Sequence, residues 1–145
     1  MKIKDIISTA KELEEYYSQF PDWYWKYGLH DAEILSVSEA ELIPDYKDKS
    51  PKRNCLEICL DSRNALYERD IEKIRLYNYK IKTLCFDIKS LEKTWWMGDS
   101  LEKQKNGHYL SEIEVENANG ERTELSVSFE LAEVMRKKGS KKFKR

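Results

Sequence analysis

An α+β fold is predicted by three features of this 145-residue sequence: an apolar stripe at helical spacing near the N-terminus, a change to period-two alternation from residue 31, and Asn-Gly turns between alternating runs. Together they describe an N-terminal amphipathic helix packed on an antiparallel sheet of about six strands in meander order. The sheet and helix form one domain over 1–135, followed by a basic, flexible tail at 136–145.

Ile3, Ile6, Ile7, Ala10, Leu13, Tyr17 and Phe20 recur every three or four residues, the stripe of a helix over about 4–20. Pro21 ends it, because the residue before a proline is pushed out of the α region. The following Asp22–Gly28 carries four aromatics and one lysine, so it is expected to pack between helix and sheet rather than to stack nucleobases.

Residues 32–43 read as a strand with imperfect alternation through Ile34, Leu35 and Val37. Leu56, Ile58 and Leu60 alternate with Glu57, Cys59 and Asp61, which gives a half-buried strand. Two more strands are expected at 71–77 and 81–88, joined as a hairpin through Asn78-Tyr79-Lys80. The last meander comprises 94–103, a run with Ile113 and Val115 inward, and 121–130 with Leu125, Val127 and Phe129 on one face. Lys105-Asn106-Gly107 and Asn119-Gly120 supply its turns.

Aromatics make up 12% of the chain and the formal net charge is −1, which argues for a packed core and against disorder. The near-zero charge conceals an asymmetry. Seven of the 26 basic residues lie in 136–145; without them 19 basic face 27 acidic residues, a net −8 on the body. Such a body steers toward basic partners. No run reaches the ~18 apolar residues that cross a bilayer, and no signal-peptide core opens the chain. A cytoplasmic location is therefore expected. Cys55 and Cys59 fall four residues apart on one strand, about 13 Å and too far for a disulfide.

No catalytic set is legible. Nucleophilic catalysis needs a base of near-neutral pKa, and the only imidazoles are His30 and His108, with no nucleophile signature beside them. His30-Asp31 lacks the earlier His and the later Asp of the His-Asp phosphohydrolases, so that comparison fails. No zinc-ligand spacing and no phosphate-binding glycine loop is present, and no metal or cofactor is expected. His30, Asp31 and His108 remain the candidates for a small-ligand or catalytic pocket, should the fold bring them together. The partner-binding candidates are Trp95, Trp96 and Asp99, with the carboxylate row Glu112, Glu114 and Glu116. Adjacent tryptophans on a strand point to opposite faces, so one of the pair can serve as an exposed anchor.

His30-Asp31-Ala32-x-Ile34, Trp95-Trp96-x-Gly98-Asp99 and Gly107-His108-Tyr109, with the closing Glu-rich hairpin, resemble a group of small bacterial proteins without an assigned function. Some of those are encoded beside polymorphic toxins as candidate immunity proteins. Members often carry a basic or His residue near the position of Ser111, a departure here. The resemblance implies a non-enzymatic protein-binding module, such as an immunity protein that neutralises a basic toxin. The alternative is a ligand-binding protein or enzyme using the His30/Asp31/His108 pocket. Nucleic-acid binding through the tail is a weaker expectation, and the oligomeric state is left open.

Overall fold

In the computed structural model, residues 21, 23–25, 28–44, 51–83 and 88–137 are described. They form eight strands: β1 Glu33–Leu42, β2 Arg53–Asp61, β3 Ile71–Tyr77, β4 Lys80–Thr83, β5 Thr94–Lys103, β6 Tyr109–Glu116, β7 Arg122–Phe129 and β8 Leu131–Arg136. The helix expected over 4–20 lies outside the described residues. Among those described, the only helical element is a 3-10 turn at Ile88–Leu91. The α+β expectation is thus corrected to an all-β architecture of eight antiparallel strands.

The order is also not a simple meander: it runs β4-β7-β6-β5-β1-β2-β3-β8. β3 and β4, expected as a hairpin, do not pair with each other. β3 pairs with β8 and β4 with β7. Asn78, at φ 52, turns the chain between β3 and β4 in the left-handed region that asparagine tolerates. Opposite it, Glu130 alone separates β7 from β8 and donates its N–H to the Tyr77 carbonyl at 3.0 Å. The register continues across the double break, from Tyr77↔Leu131 to Lys80↔Ser128. β3 with β4 and β8 with β7 therefore act as two long bent strands that pair with each other across the break, and the sheet rolls up into a barrel. Rolling up hides the edges that an open sheet would expose to aggregation.

The barrel interior is a single core. Ile34, Val37, Ile58, Leu76, Trp96, Val115 and Phe129 are all buried within it. Tyr24 and Trp25 belong to this core, and Trp23 packs against it. Trp25 meets Trp96 edge-on at 5.5 Å, and Trp23 meets Phe129 at 5.8 Å. Such T-shaped contacts suit the aromatic quadrupole.

Of the four register shifts in the sheet, those in β1 and β5 decide which residues of the central strands reach that core. In β1 the register shifts between Ile34 and Ser36, so Leu35 is inserted and both Ile34 and Val37 point inward. In β5 it shifts between Trp96 and Gly98 with Met97 inserted, and Trp96 and Asp99 share the inner side. A bulge adds one residue against the partner strand and increases the local bend. The broken alternation of the sequence at these two places is the record of that insertion.

Gly28 marks a close approach. A Cβ there would lie 2.4 Å from Glu68 Cγ and 3.0 Å from the Trp25 carbonyl oxygen. Glu68 is buried and held by Arg136 at 2.8 Å, so it cannot swing aside. Gly28→Ala is expected to cost about 1–3 kcal/mol by overpacking. Gly98→Ala, with open space around the new methyl, is the control and should leave the thermal midpoint within about 2 °C. Equal melting of the two variants would refute the close approach.

Among the described residues no helix is long and apolar enough to cross a membrane.

Candidate functional site

The β5 bulge builds two environments from neighbouring residues. Inward, Asp99 is buried and its carboxylate takes three donors. Trp25 Nε1 donates to Oδ2 at 2.7 Å, Trp96 Nε1 donates to Oδ1 at 3.1 Å, and the Tyr24 hydroxyl donates to Oδ2. Burial pushes the Asp99 carboxyl above the usual carboxylate range, and the three donors only partly oppose it. No cation lies among the groups acting on it. Tyr24 and Trp25 come from the aromatic segment and Trp96 from β5, so Asp99 ties that segment to the barrel wall. Trp96 can reach a residue three positions on only because Met97 is bulged out; on a regular strand the two would face opposite sides.

Outward, Trp95 stands half-buried on the other side of β5. Its register partners are Glu33 on β1 and Glu116 on β6. Directly paired residues project to the same side of a sheet, so the indole has a carboxylate on each flank. Glu116 pairs with Arg122, and Glu114 pairs with Gly98 and Glu124. Glu112 pairs with Ser100 and Ser126, one step further along the same face. Arg122 reaches Glu114 at 2.9 Å and Glu116 at 3.2 Å. These rows set Glu33, Glu112, Glu114, Glu116 and Glu124 on one face, with Arg122 paired to Glu114 and Glu116 and Arg63, bound to Asp61, acting on Glu33.

Of the six partner-binding candidates, the structure brings Trp95, Glu112, Glu114 and Glu116 onto one outward face. Trp96 and Asp99 are inside, beyond the reach of any partner. Glu33 was missed in the sequence because only pairing with β5 reveals its place.

The three pocket candidates do not converge. His30 Nδ1 lies 3.2 Å from Asp31 Oδ2, and Asp31, at φ 74, donates its N–H to the Trp96 carbonyl at 2.7 Å. This pair sits at the start of β5. His108 sits past its end, where its carbonyl accepts from the Gln104 N–H and its Nε2 lies 4.0 Å from Glu130. From Trp96 to Lys103 the strand covers seven residues, roughly 23 Å at ~3.3 Å each. His108 instead joins Arg53 and Asn78 around Glu130, and Asn78 and Arg53 hold that carboxyl below its ordinary range. This cluster braces the corner between β7 and β8. Among the described residues no three His, Cys, Asp or Glu side chains are placed to hold a metal ion.

Comparison with family models, with curated proteins and with solved structures finds no match to this chain.

Proposed function

We propose that this protein is a non-enzymatic binding module that docks a basic protein partner on the outward face of β5, β6 and β7, in the manner of a toxin-neutralising immunity protein. One observation carries the reading: Trp95 stands in register between Glu33 and Glu116, with Glu114 and Glu112 on the next rows. An indole flanked by carboxylates suits a lysine or arginine side chain, which gains cation–π contact and ion pairing together. The surrounding acidic field speeds encounter with a basic surface. Rigid strands hold the whole array, so little ordering entropy is lost on binding. The two imidazoles near opposite ends of β5 give no support to the pocket reading. Cys55 and Cys59 are free thiols on the outer side of β2, which suits the reducing cytoplasm where we place the protein.

The test uses the whole chain as bait in extract of its native cell, beside Trp95→Ala and the charge-reversed Glu114→Lys/Glu116→Lys. A basic protein captured by the parent and released by salt is expected. Trp95→Ala should weaken its binding by about 2 kcal/mol or more, roughly thirtyfold. Charge reversal should mainly slow association. A specific partner that both variants retain undiminished would overturn the proposal.

A further inference from the structure

We propose that Asn119, at the tip of the β6–β7 hairpin, is a self-modifying site: the following Gly120 amide attacks its carboxamide and converts it to aspartate and isoaspartate. This goes beyond the Trp95 reading and does not depend on it, although the same hairpin carries Glu114, Glu116 and Arg122.

The chain holds two Asn-Gly pairs, Asn106-Gly107 and Asn119-Gly120, and both close hairpins of the same build. Between β5 and β6 the Gly107 N–H donates to the Gln104 carbonyl at 3.0 Å, and between β6 and β7 the Gly120 N–H donates to the Asn117 carbonyl at 3.0 Å. The bonds that bracket them also correspond: Gln104 N–H to the His108 carbonyl at 2.7 Å, and Asn117 N–H to the Glu121 carbonyl at 2.9 Å. Gly107 at φ 85 and Gly120 at φ 78 take the left-handed place that such a three-residue turn needs. Both asparagines are exposed. The two turns therefore match in backbone, in the residue that follows and in access to water.

Their carboxamides differ. Asn106 Oδ1 accepts the His108 N–H at 3.0 Å, which ties that side chain across its own glycine. In the second turn the equivalent N–H, that of Glu121, goes to Asn117 Oδ1 at 3.0 Å, and the Asn119 N–H goes to the same oxygen at 2.9 Å. Asn117 thereby takes the donor that restrains the asparagine in the first turn. The Asn119 carboxamide makes no hydrogen bond among the described residues.

A free carboxamide can swing onto the next amide nitrogen, and glycine has no Cβ to obstruct it. The Gly120 nitrogen then bonds to Asn119 Cγ and gives up its proton as the Cγ–Nδ2 bond breaks, so ammonia leaves and a five-membered succinimide remains. Water opens that ring at either carbonyl. One opening gives an aspartate on an ordinary main chain; the other routes the main chain through the side-chain carbon, an isoaspartate. Because ring closure is intramolecular, it proceeds without an enzyme. The attacking N–H is held equally in both turns, so the freedom of the carboxamide decides between them. Isoaspartate puts one more main-chain atom into the turn that sets Glu116 opposite Arg122 and Val115 opposite Thr123, and either product adds a negative charge there.

Incubation of the full chain at mildly alkaline pH tests the proposal. Peptide mapping by mass spectrometry follows each asparagine, and methyl transfer from labelled S-adenosylmethionine by an isoaspartate methyltransferase counts the rearranged product. Asn119 is expected to convert about three- to tenfold faster than Asn106, the worth of the one hydrogen bond that restrains Asn106. In urea, where neither turn persists, the two rates should converge. Asn119→Gln should abolish methyl incorporation in its peptide, because glutamine must close a larger ring, and circular dichroism checks that this variant remains folded. A folded chain in which Asn119 stays intact or converts no faster than Asn106 would overturn the proposal. So would a difference between the two that survives in urea.

Discussion

Asp99→Ala is expected to be the most damaging single substitution inside the barrel, lowering stability by roughly 3–5 kcal/mol and the thermal midpoint by about 10–15 °C. The carboxylate accepts from Tyr24, Trp25 and Trp96. Alanine strands all three donors in a site without water access, and each stranded buried group costs about 1–3 kcal/mol. Asp99→Asn should fall between, since the amide oxygen still accepts while its NH₂ meets an indole N–H that can only donate. Thermal unfolding followed by circular dichroism measures both. A loss below about 1 kcal/mol for Asp99→Ala would mean that aromatic packing alone holds the segment.

The same carboxyl gives stability a distinctive pH dependence. Its folded-state pKa is raised, with burial as the main cause. The folded state therefore binds the proton more tightly than the unfolded one. Asp99's contribution is complete below the unfolded carboxyl pKa and is lost as pH rises through the folded value. Asp61 and Glu130 are displaced the other way, by Arg63 and by Asn78 with Arg53 respectively, so their contributions are lost on acidification. Both carboxyls reach solvent, Asp61 with its side chain 25% and Glu130 with its side chain 45% exposed, and solvent screening keeps their effect small. Subtracting the Asp99→Asn profile from the parent should leave a curve that declines with rising pH. A flat difference would show that desolvation does not dominate at this site.

Much of the sheet was legible because its strands alternate apolar residues toward the core with polar ones on the other side. Leu56, Ile58 and Leu60 in β2, or Leu125, Val127 and Phe129 in β7, stand at strict two-residue spacing, and nothing interrupts them. The reading failed where the chain inserts one residue. Strict two-residue spacing along 94–103 would set Trp95, Met97 and Leu101 on one side, whereas the bulge puts Trp96, Asp99 and Leu101 inside. The alternation breaks at such a place, but which residue is the extra one shows only in the pairing with β6. The corners at Asn78 and Glu130 were hidden for a related reason. Asn78-Tyr79-Lys80 carries the composition of a hairpin turn, yet each side of it pairs with a strand about fifty residues away. β8 was missed because Arg136 and Lys137 made its end look like the start of the basic tail. Of the outward face, Trp95 and the alternate glutamates were visible. Glu33 was not, because a cross-strand neighbour has no signature in sequence. Asp99, a partner-binding candidate by its charge, is instead made a core residue by three aromatic donors.

Deleting Glu114 is expected to abolish the native fold, whereas deleting Met97 is expected to leave it standing. Side chains on a strand alternate, so removing a residue from a strand in continuous register inverts every position on one side of the deletion. β6 is such a strand, paired with β5 on one side and β7 on the other. If it keeps its earlier register, Val115 leaves the core and Glu116 takes its place inside. If it keeps the later register, Ile113 leaves and Glu112 is buried instead. Either outcome loses a buried aliphatic side chain, about 2–5 kcal/mol, and buries a carboxylate without a partner. Together these are comparable to the ~5–15 kcal/mol that holds a domain together. The expected result is collapsed amide dispersion in the NMR spectrum and no cooperative thermal transition. Met97 is different because it is the extra residue of the β5 bulge: Trp96 pairs with Val115 and Gly98 with Glu114, which are consecutive on β6. Its deletion makes the ladder continuous, keeps Trp96 and Asp99 on the inner side, and removes only the local bend that a bulge adds. A Met97 deletion that fails to fold would show that the bend itself, rather than the pairing on either side of it, holds Trp96 and Asp99 in place.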